Sequence, residues 1–190
     1  MTTSSKLTDY SAQWDNRQPE NLNFLRPLGF KMNFERLPTV TYFCQSANIP
    51  EINLGVATQQ TPFVDMPHPG DKMIFGDLVI RFMIDEDMKN YIEMNNWIVG
   101  LGFPESRDQF KQITNAGRRF NSPSSSNTGE FGDATLTILT SDNLPNLQIK
   151  FEDCFPTSLT GMDFDISSAN TNYFQASATF KYRQFEIIKL

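Results

Sequence analysis

The strongest constraint on the fold is a two-residue rhythm near the end of the chain. Phe174, Ala176, Ala178, Phe180 and Tyr182 alternate with Gln175, Ser177, Thr179, Lys181 and Arg183, the pattern of a strand with one buried face. The rhythm recurs upstream. Phe30, Met32 and Phe34 alternate with Lys31, Asn33 and Glu35. Leu147, Ile149 and Phe151 alternate with Gln148, Lys150 and Glu152, and Met162, Phe164 and Ile166 with Asp163, Asp165 and Ser167. Val40–Ser46 and Ala134–Thr140 read as further strands. In Leu78–Ile84 both faces are apolar, which places that strand centrally in a sheet. One segment has a helical period instead. Met88, Tyr91, Ile92, Asn95, Ile98 and Val99 recur at spacings of three and four, which predicts a helix over 86–99 with Trp97 on its border. Asp85-Glu86-Asp87 supplies negative charge at its start, and Gly100, Gly102 and Pro104 end it. About seven or eight strands, one helix and no β–α alternation predict a mainly β fold. We expect an antiparallel β-barrel or sandwich with one flanking α-helix.

A chain of 190 residues fits one domain. Residues 1–26 are polar and Asn/Gln/Ser-rich and read as an N-terminal arm, with residues 27–190 as a single β domain. Trp14 is the costliest residue in the arm to leave in water. Residues 104–132 form a long polar loop containing a Ser-Pro-Ser-Ser-Ser run. Pro67-His68-Pro69-Gly70-Asp71 reads as a turn cluster, and Phe155-Pro156-Thr157 as a strand break.

Residues 51–66 read as an extended hairpin. Ile52, Leu54 and Val56 alternate with polar residues, and Thr58, Gln59, Gln60 and Thr61 form an uncharged tip before Phe63. A hairpin reaching off the body needs a partner to bury its apolar face. Ile52, Leu54, Val56, Thr58, Gln59, Gln60 and Phe63, together with Trp14, are therefore the candidate inter-subunit contacts.

Net charge is −6, the wrong sign for tight nucleic-acid binding. No apolar run of about 18 residues predicts membrane insertion, and Met1–Lys6 lacks a signal core. Cys44 and Cys154 match no metal spacing and read as reduced thiols. The single histidine, His68, lies between two prolines with no nucleophile near it in sequence. Asp163 and Asp165 resemble a carboxylate pair for glycoside hydrolysis, but a solvated strand face explains them more simply. The expectation is a protein without catalytic residues, cofactor or metal. A β-sandwich carbohydrate-binding module is the alternative from another class, and it requires an exposed aromatic platform.

The order of segments resembles the tail tube proteins of contractile-tailed, T-even-like bacteriophages over roughly residues 24–188. The carriers are Ser46-Ala47-Asn48-Ile49-Pro50, the extended hairpin, Gly70-Asp71-Lys72, the strand Asp77–Ile84, the amphipathic helix with Trp97, and Phe155-Pro156-Thr157-Ser158-Leu159 before the terminal strand. The resemblance implies hexameric rings that stack into a hollow tube, with strands of adjacent subunits forming one continuous inner sheet. It implies partners: further copies of the chain, then tail sheath, baseplate and tail terminator proteins. It implies a virion protein assembled in the host cytoplasm, through which DNA passes during ejection without specific binding. A baseplate tube initiator or a tube protein of another contractile injection system is the alternative within the resemblance. An acidic lumen would repel phosphate, and Glu152, Asp163 and Asp165 are the candidate lumen-facing acids.

Overall fold

The computed structural model describes residues 24–102, 104–111, 130–165 and 173–190. Trp14 and most of the arm lie outside them. Among the described residues the main elements run in the order β1 (Phe30–Phe34), α1 (Pro38–Phe43), β2 (Cys44–Ala47), β3 (Ile52–Gln59), β4 (Met66–Phe75), β5 (Leu78–Met83), α2 (Lys89–Gly102), β6 (Gly132–Leu139), β7 (Pro145–Leu159), β8 (Gln175–Lys181) and β9 (Gln184–Lys189). Seven strands form an antiparallel sheet in the order β1-β6-β7-β8-β5-β2, with β9 on β7. The first part of β7 lies between β6 and β9 through Leu147–Glu152, and its last part pairs with β8 from Phe155 to Leu159. Between them Asp153 adopts φ 55°, and the register shifts at Gly132/Ala134 and at Pro156/Ser158. Irregularities of this kind let one strand turn a corner between two layers. The Phe34 ring of β1 accordingly stacks on Phe180 of β8 with centroids 5.0 Å apart. The result is an open, folded-over sandwich. The barrel half of the expectation is corrected, because β1 and β2 end the sheet without pairing to each other.

The core is the inner face of this sheet. Met32 and Phe34, Leu78, Ile80 and Phe82, Ala134 and Leu136, Ile149 and Phe151, and Ala176, Ala178 and Phe180 are all buried. These are the in-facing sets of the predicted alternations. β5 has neighbours on both sides, as predicted, but only one face is buried, since Val79 and Arg81 are exposed.

Several local expectations are overturned. Val40–Ser46 is not one strand. Pro38 opens a short helix, where its fixed φ suits the first helical position. Thr41 Oγ1 accepts a hydrogen bond from Phe34 N and donates to Leu37 O, and Thr39 donates to Glu93 of α2. Burial of Val40 against the core outweighs its β propensity. β4 runs straight through the supposed turn cluster at Pro67–Asp71. β7 runs through Phe155-Pro156-Thr157, where the bulge absorbs the proline. Residues 161–165 carry no strand. The terminal strand is two, because pairing is interrupted at 182–183 and the chain continues along the first part of β7 as β9. In the loop 104–132, a helical turn at 107–111 is described.

Helix α2 starts at Lys89, three residues after the expected position, and its buried residues are Asn90, Met94, Trp97 and Gly100. The predicted face is rotated. Tyr91 and Ile98 pack at its edge, whereas Ile92 and Asn95 are exposed. Asn90 explains the shift. It is fully buried, its Nδ2 donates to Met83 O at 2.7 Å, and its Oδ1 accepts from Tyr91 N at 2.8 Å and from Asp85 N at 3.4 Å. This amide fixes the exit from β5, so the acids 85–87 form a turn before the helix. Replacing Asn90 with Leu leaves those backbone groups unsatisfied. The expected cost is about 2 kcal/mol, a melting-point drop of roughly 4–8 °C in a chain of this size. A melt within about 1 °C of the parent would refute the assignment.

Candidate assembly surface

The hairpin β3–β4 forms a two-stranded sheet of its own. It joins the body at its base. Gly76 N donates to Glu51 O at 2.9 Å, and the Phe75 ring lies 5.5 Å from Phe185 and 6.1 Å from Tyr182. Asn48 pins the approach by donating to Asp77 O at 3.0 Å and accepting from Val79 N at 2.7 Å. Beyond the base nearly every residue of both strands is exposed.

The register assembles one apolar face. Ile52 faces Phe75, Leu54 faces Met73, Val56 faces Pro69 and Thr58 faces Pro67. Residues that alternate along a strand share a side, so the predicted set Ile52, Leu54, Val56 and Thr58 does lie together. Met73, Pro69 and Pro67 complete it. Ile52 is 52% exposed, Leu54 50% and Val56 67%. Gln59 lies on the other side, where its Oε1 is 3.1 Å from His68 Nε2. The turn holds Gln60 and Phe63. Val64 N donates to Thr61 Oγ1 at 3.2 Å, and Phe63 is 98% exposed. An isolated two-stranded hairpin is marginal in water, and an exposed apolar patch of this kind marks an interaction site. The sequence reading missed Met66, Met73 and Ile74, all exposed on β4. The prolines masked the strand period that would have revealed them.

Between Leu54 and Val56 the register jumps, so that residues 70–72 oppose Gly55 alone. The backbones touch there. A Cβ on Gly70 would lie 2.5 Å from Gly55 O and 2.8 Å from Gly55 C, so no side chain fits at Gly70 without moving the hairpin.

The three candidate acids are not brought together. Glu152 is on β7, accepting from Arg183 Nη2 and Gln184 Nε2 at 2.7 Å each. These donors, Gln184 first and then Arg183, hold its carboxyl below the usual range. Arg183 also reaches Asp153 at 3.2 Å. Asp163 and Asp165 are exposed on the segment after β7, not on a strand face.

His68 stands on the hairpin beside Gln59, away from both cysteines, which are free. Burial pushes the Cys44 thiol up to about 11 and the Cys154 thiol up further, so neither is a ready nucleophile at neutral pH. Among the described residues no cluster of His, Cys, Asp or Glu suits a metal ion, and no helix is long and apolar enough to cross a membrane.

The sequence profile described as phage tail tube protein matches residues 10–188. The chain belongs to the phage tail tube protein family. It is a structural subunit of a tail tube, and so a component of a phage tail. No curated protein sequence matches it significantly. Solved structures agree on the fold. The tube-terminating cap of the anti-feeding prophage aligns with TM-score 0.60 and 15% identity, over 91% of this chain and 96% of that one. A chain of the sheath–tube complex of the PVC extracellular contractile injection system aligns with TM-score 0.55 and 12% identity, over 89% and 94%. A chain of the six-fold symmetrised anti-feeding prophage baseplate gives 0.53 and 11%, over 84% and 90%.

Proposed function

We propose that this tail tube protein closes into hexameric rings that stack into a hollow conduit, and that the β3–β4 hairpin is a principal contact between copies. The observation that carries this reading is the apolar face of Ile52, Leu54, Val56 and Met73 on a hairpin that the other described residues leave uncovered. The contact is heterologous, so a rotation that closes gives a ring and the other direction remains open to growth. Trp14 and the arm add a second contact. Glu152, Asp163 and Asp165 contribute negative charge to the lumen, which lets DNA pass without binding. The outer surface meets sheath proteins, and the tube ends meet baseplate and terminator proteins. The subunit is assembled in the host cytoplasm and catalyses nothing.

Negative-stain microscopy and sedimentation of the purified full chain test this. Six-fold rings or tubes are the expected result. A monodisperse monomer at the highest attainable concentration would contradict the proposal. Position along the tail is read from copy number, since a tube-body subunit recurs in every ring and an end subunit in one.

A further inference from the structure

A pocket of about 520 Å³ opens beside the start of α2, within the roughly 300–1,000 Å³ of small-ligand sites. Phe43 lines it from α1, Met83 and Met88 from either end of the turn before α2, and Met162, Phe164 and Phe174 from the segments after β7 and before β8. The Phe164 and Phe174 rings lie 4.7 Å apart and both stay exposed. Methionines among aromatic rings make an adaptable apolar wall, because the thioether chain bends to fit and attracts ring edges. Met88 is held there under strain. Its φ is 55°, a left-handed value that costs a residue with a side chain about 1 kcal/mol or more, and its N donates to Asp85 O at 2.8 Å. Asp85 and Glu86 line the same pocket. Asp87 is paired with Lys89, whereas Asp85 and Glu86 make no ion pair among the described residues. The chemistry that fits is a large apolar group with a cation beside it.

The N-terminal arm holds that pair. Trp14 is its largest apolar side chain, and Arg17 follows three residues later. The hairpin tip offers Phe63, but with Asp65 two residues on, which is the wrong charge. Resting on the tube reading above, we infer that the arm of a second copy seats Trp14 in this pocket, with Arg17 against Asp85 and Glu86. The chain enters β1 at Phe30, in a groove also lined by Tyr42 and Cys44, and Phe43 between them belongs to the pocket. The arm residues nearest that point do not fill their own subunit's groove, since Phe24 is 95% exposed and Leu28 90%. Trp14 stands far enough from Phe30 in sequence to reach about 50 Å in an extended chain. The radius of gyration of a subunit of this length is about 16 Å, so the arm is long enough to cross to a neighbour.

Acrylamide quenching and sedimentation of the full-length protein test this. The only other tryptophan, Trp97, is buried, so quenchable emission reports Trp14. In dilute subunits Trp14 should be freely quenched, and on assembly its quenching should fall severalfold with a blue shift. Trp14→Ala should raise the assembly concentration about 30-fold, as loss of a buried aromatic anchor does. Arg17→Glu should raise it about tenfold, and adding Glu86→Arg to that variant should restore most of the loss. Glu86 is exposed, so the charge change spares the fold, and an unchanged melting point checks it. Protection of Trp14 already complete in dilute subunits means an arm seated on its own chain and overturns the second copy. If Glu86→Arg rescues Arg118→Glu instead, a different basic segment is the occupant and the arm is overturned. Tubes in which Trp14 stays quenchable, or no rescue by the charge swap, overturn the pocket as its seat and leave the tube reading standing. Failure of the parent to assemble at all overturns both.

Discussion

Replacing Leu54 and Val56 together by glutamate is expected to abolish assembly and leave the subunit folded. Both side chains are at least half exposed in the single chain, so the folded monomer has little to lose. Substitutions at such sites usually stay within about 0.5 kcal/mol, and the melting point should move by no more than about 2 °C. Assembly is different. Apolar area is worth about 25 cal/mol per Å² when covered, and that gain disappears. Two carboxylates would also have to be buried without partners, at several kcal/mol each. In the proposed assembly each ring would repeat the insult at every interface, so no concentration within reach should restore tubes. The milder pair Leu54→Ala and Val56→Ala should raise the assembly concentration without abolishing tubes. Sedimentation and microscopy read both. Normal tubes from the glutamate variant would show that this face lies outside the interface.

The legible parts of the molecule were those where one physical effect dominates. The alternations around Phe34, Ile80, Ile149 and Phe180 gave buried strand faces because burial of large apolar side chains outweighs every competing term. The apolar row Ile52, Leu54 and Val56 was legible from the same two-residue period. The misreadings cluster where tertiary contacts decide. Val40 went into a helix because Thr39 and Thr41 found partners there and Pro38 suits the first helical position. The helix face is rotated because a polar residue, Asn90, is buried in the core, and a pattern of apolar residues does not include it. The prolines at 67, 69 and 156 stand inside strands because each occupies an outward edge or a bulge, and a linear sequence does not display edges. For the same reason the hairpin was read as ending at 66, with its return strand unrecognised. The role of Asp163 and Asp165 was argued from an alternation that the chain does not fold into, since residues 161–165 carry no strand. Glu152 kept its strand position but acquired two donors, and Arg183 offsets its charge.

The largest effect on the subunit itself should come from Phe180→Ala. Phe180 is fully buried on β8, stacked on Phe34 at 5.0 Å and 6.2 Å from Trp97. It joins three elements that are distant in sequence: β1, α2 and the strand that β7 reaches after its bend. Truncation removes the transfer energy of the ring and leaves a cavity that surrounding aromatics cannot collapse into, at a cost of about 3–5 kcal/mol. For a chain of this length that is a melting-point drop of roughly 6–20 °C, from a total stability of about 5–15 kcal/mol. Tyr182 provides the internal contrast two residues on, along the same face. Its ring packs against Phe151 at 5.2 Å, and its hydroxyl is buried with no hydrogen-bond partner among the described residues. Burial pushes that phenol up to about 12, so it stays neutral in ordinary buffers. Tyr182→Phe keeps the ring and deletes the unsatisfied group, and it should be neutral or stabilising. Thermal melts of the two variants beside the parent decide the matter. A large loss from Tyr182→Phe, or a small one from Phe180→Ala, would mean that the sandwich is not held by the aromatic stack at its bend.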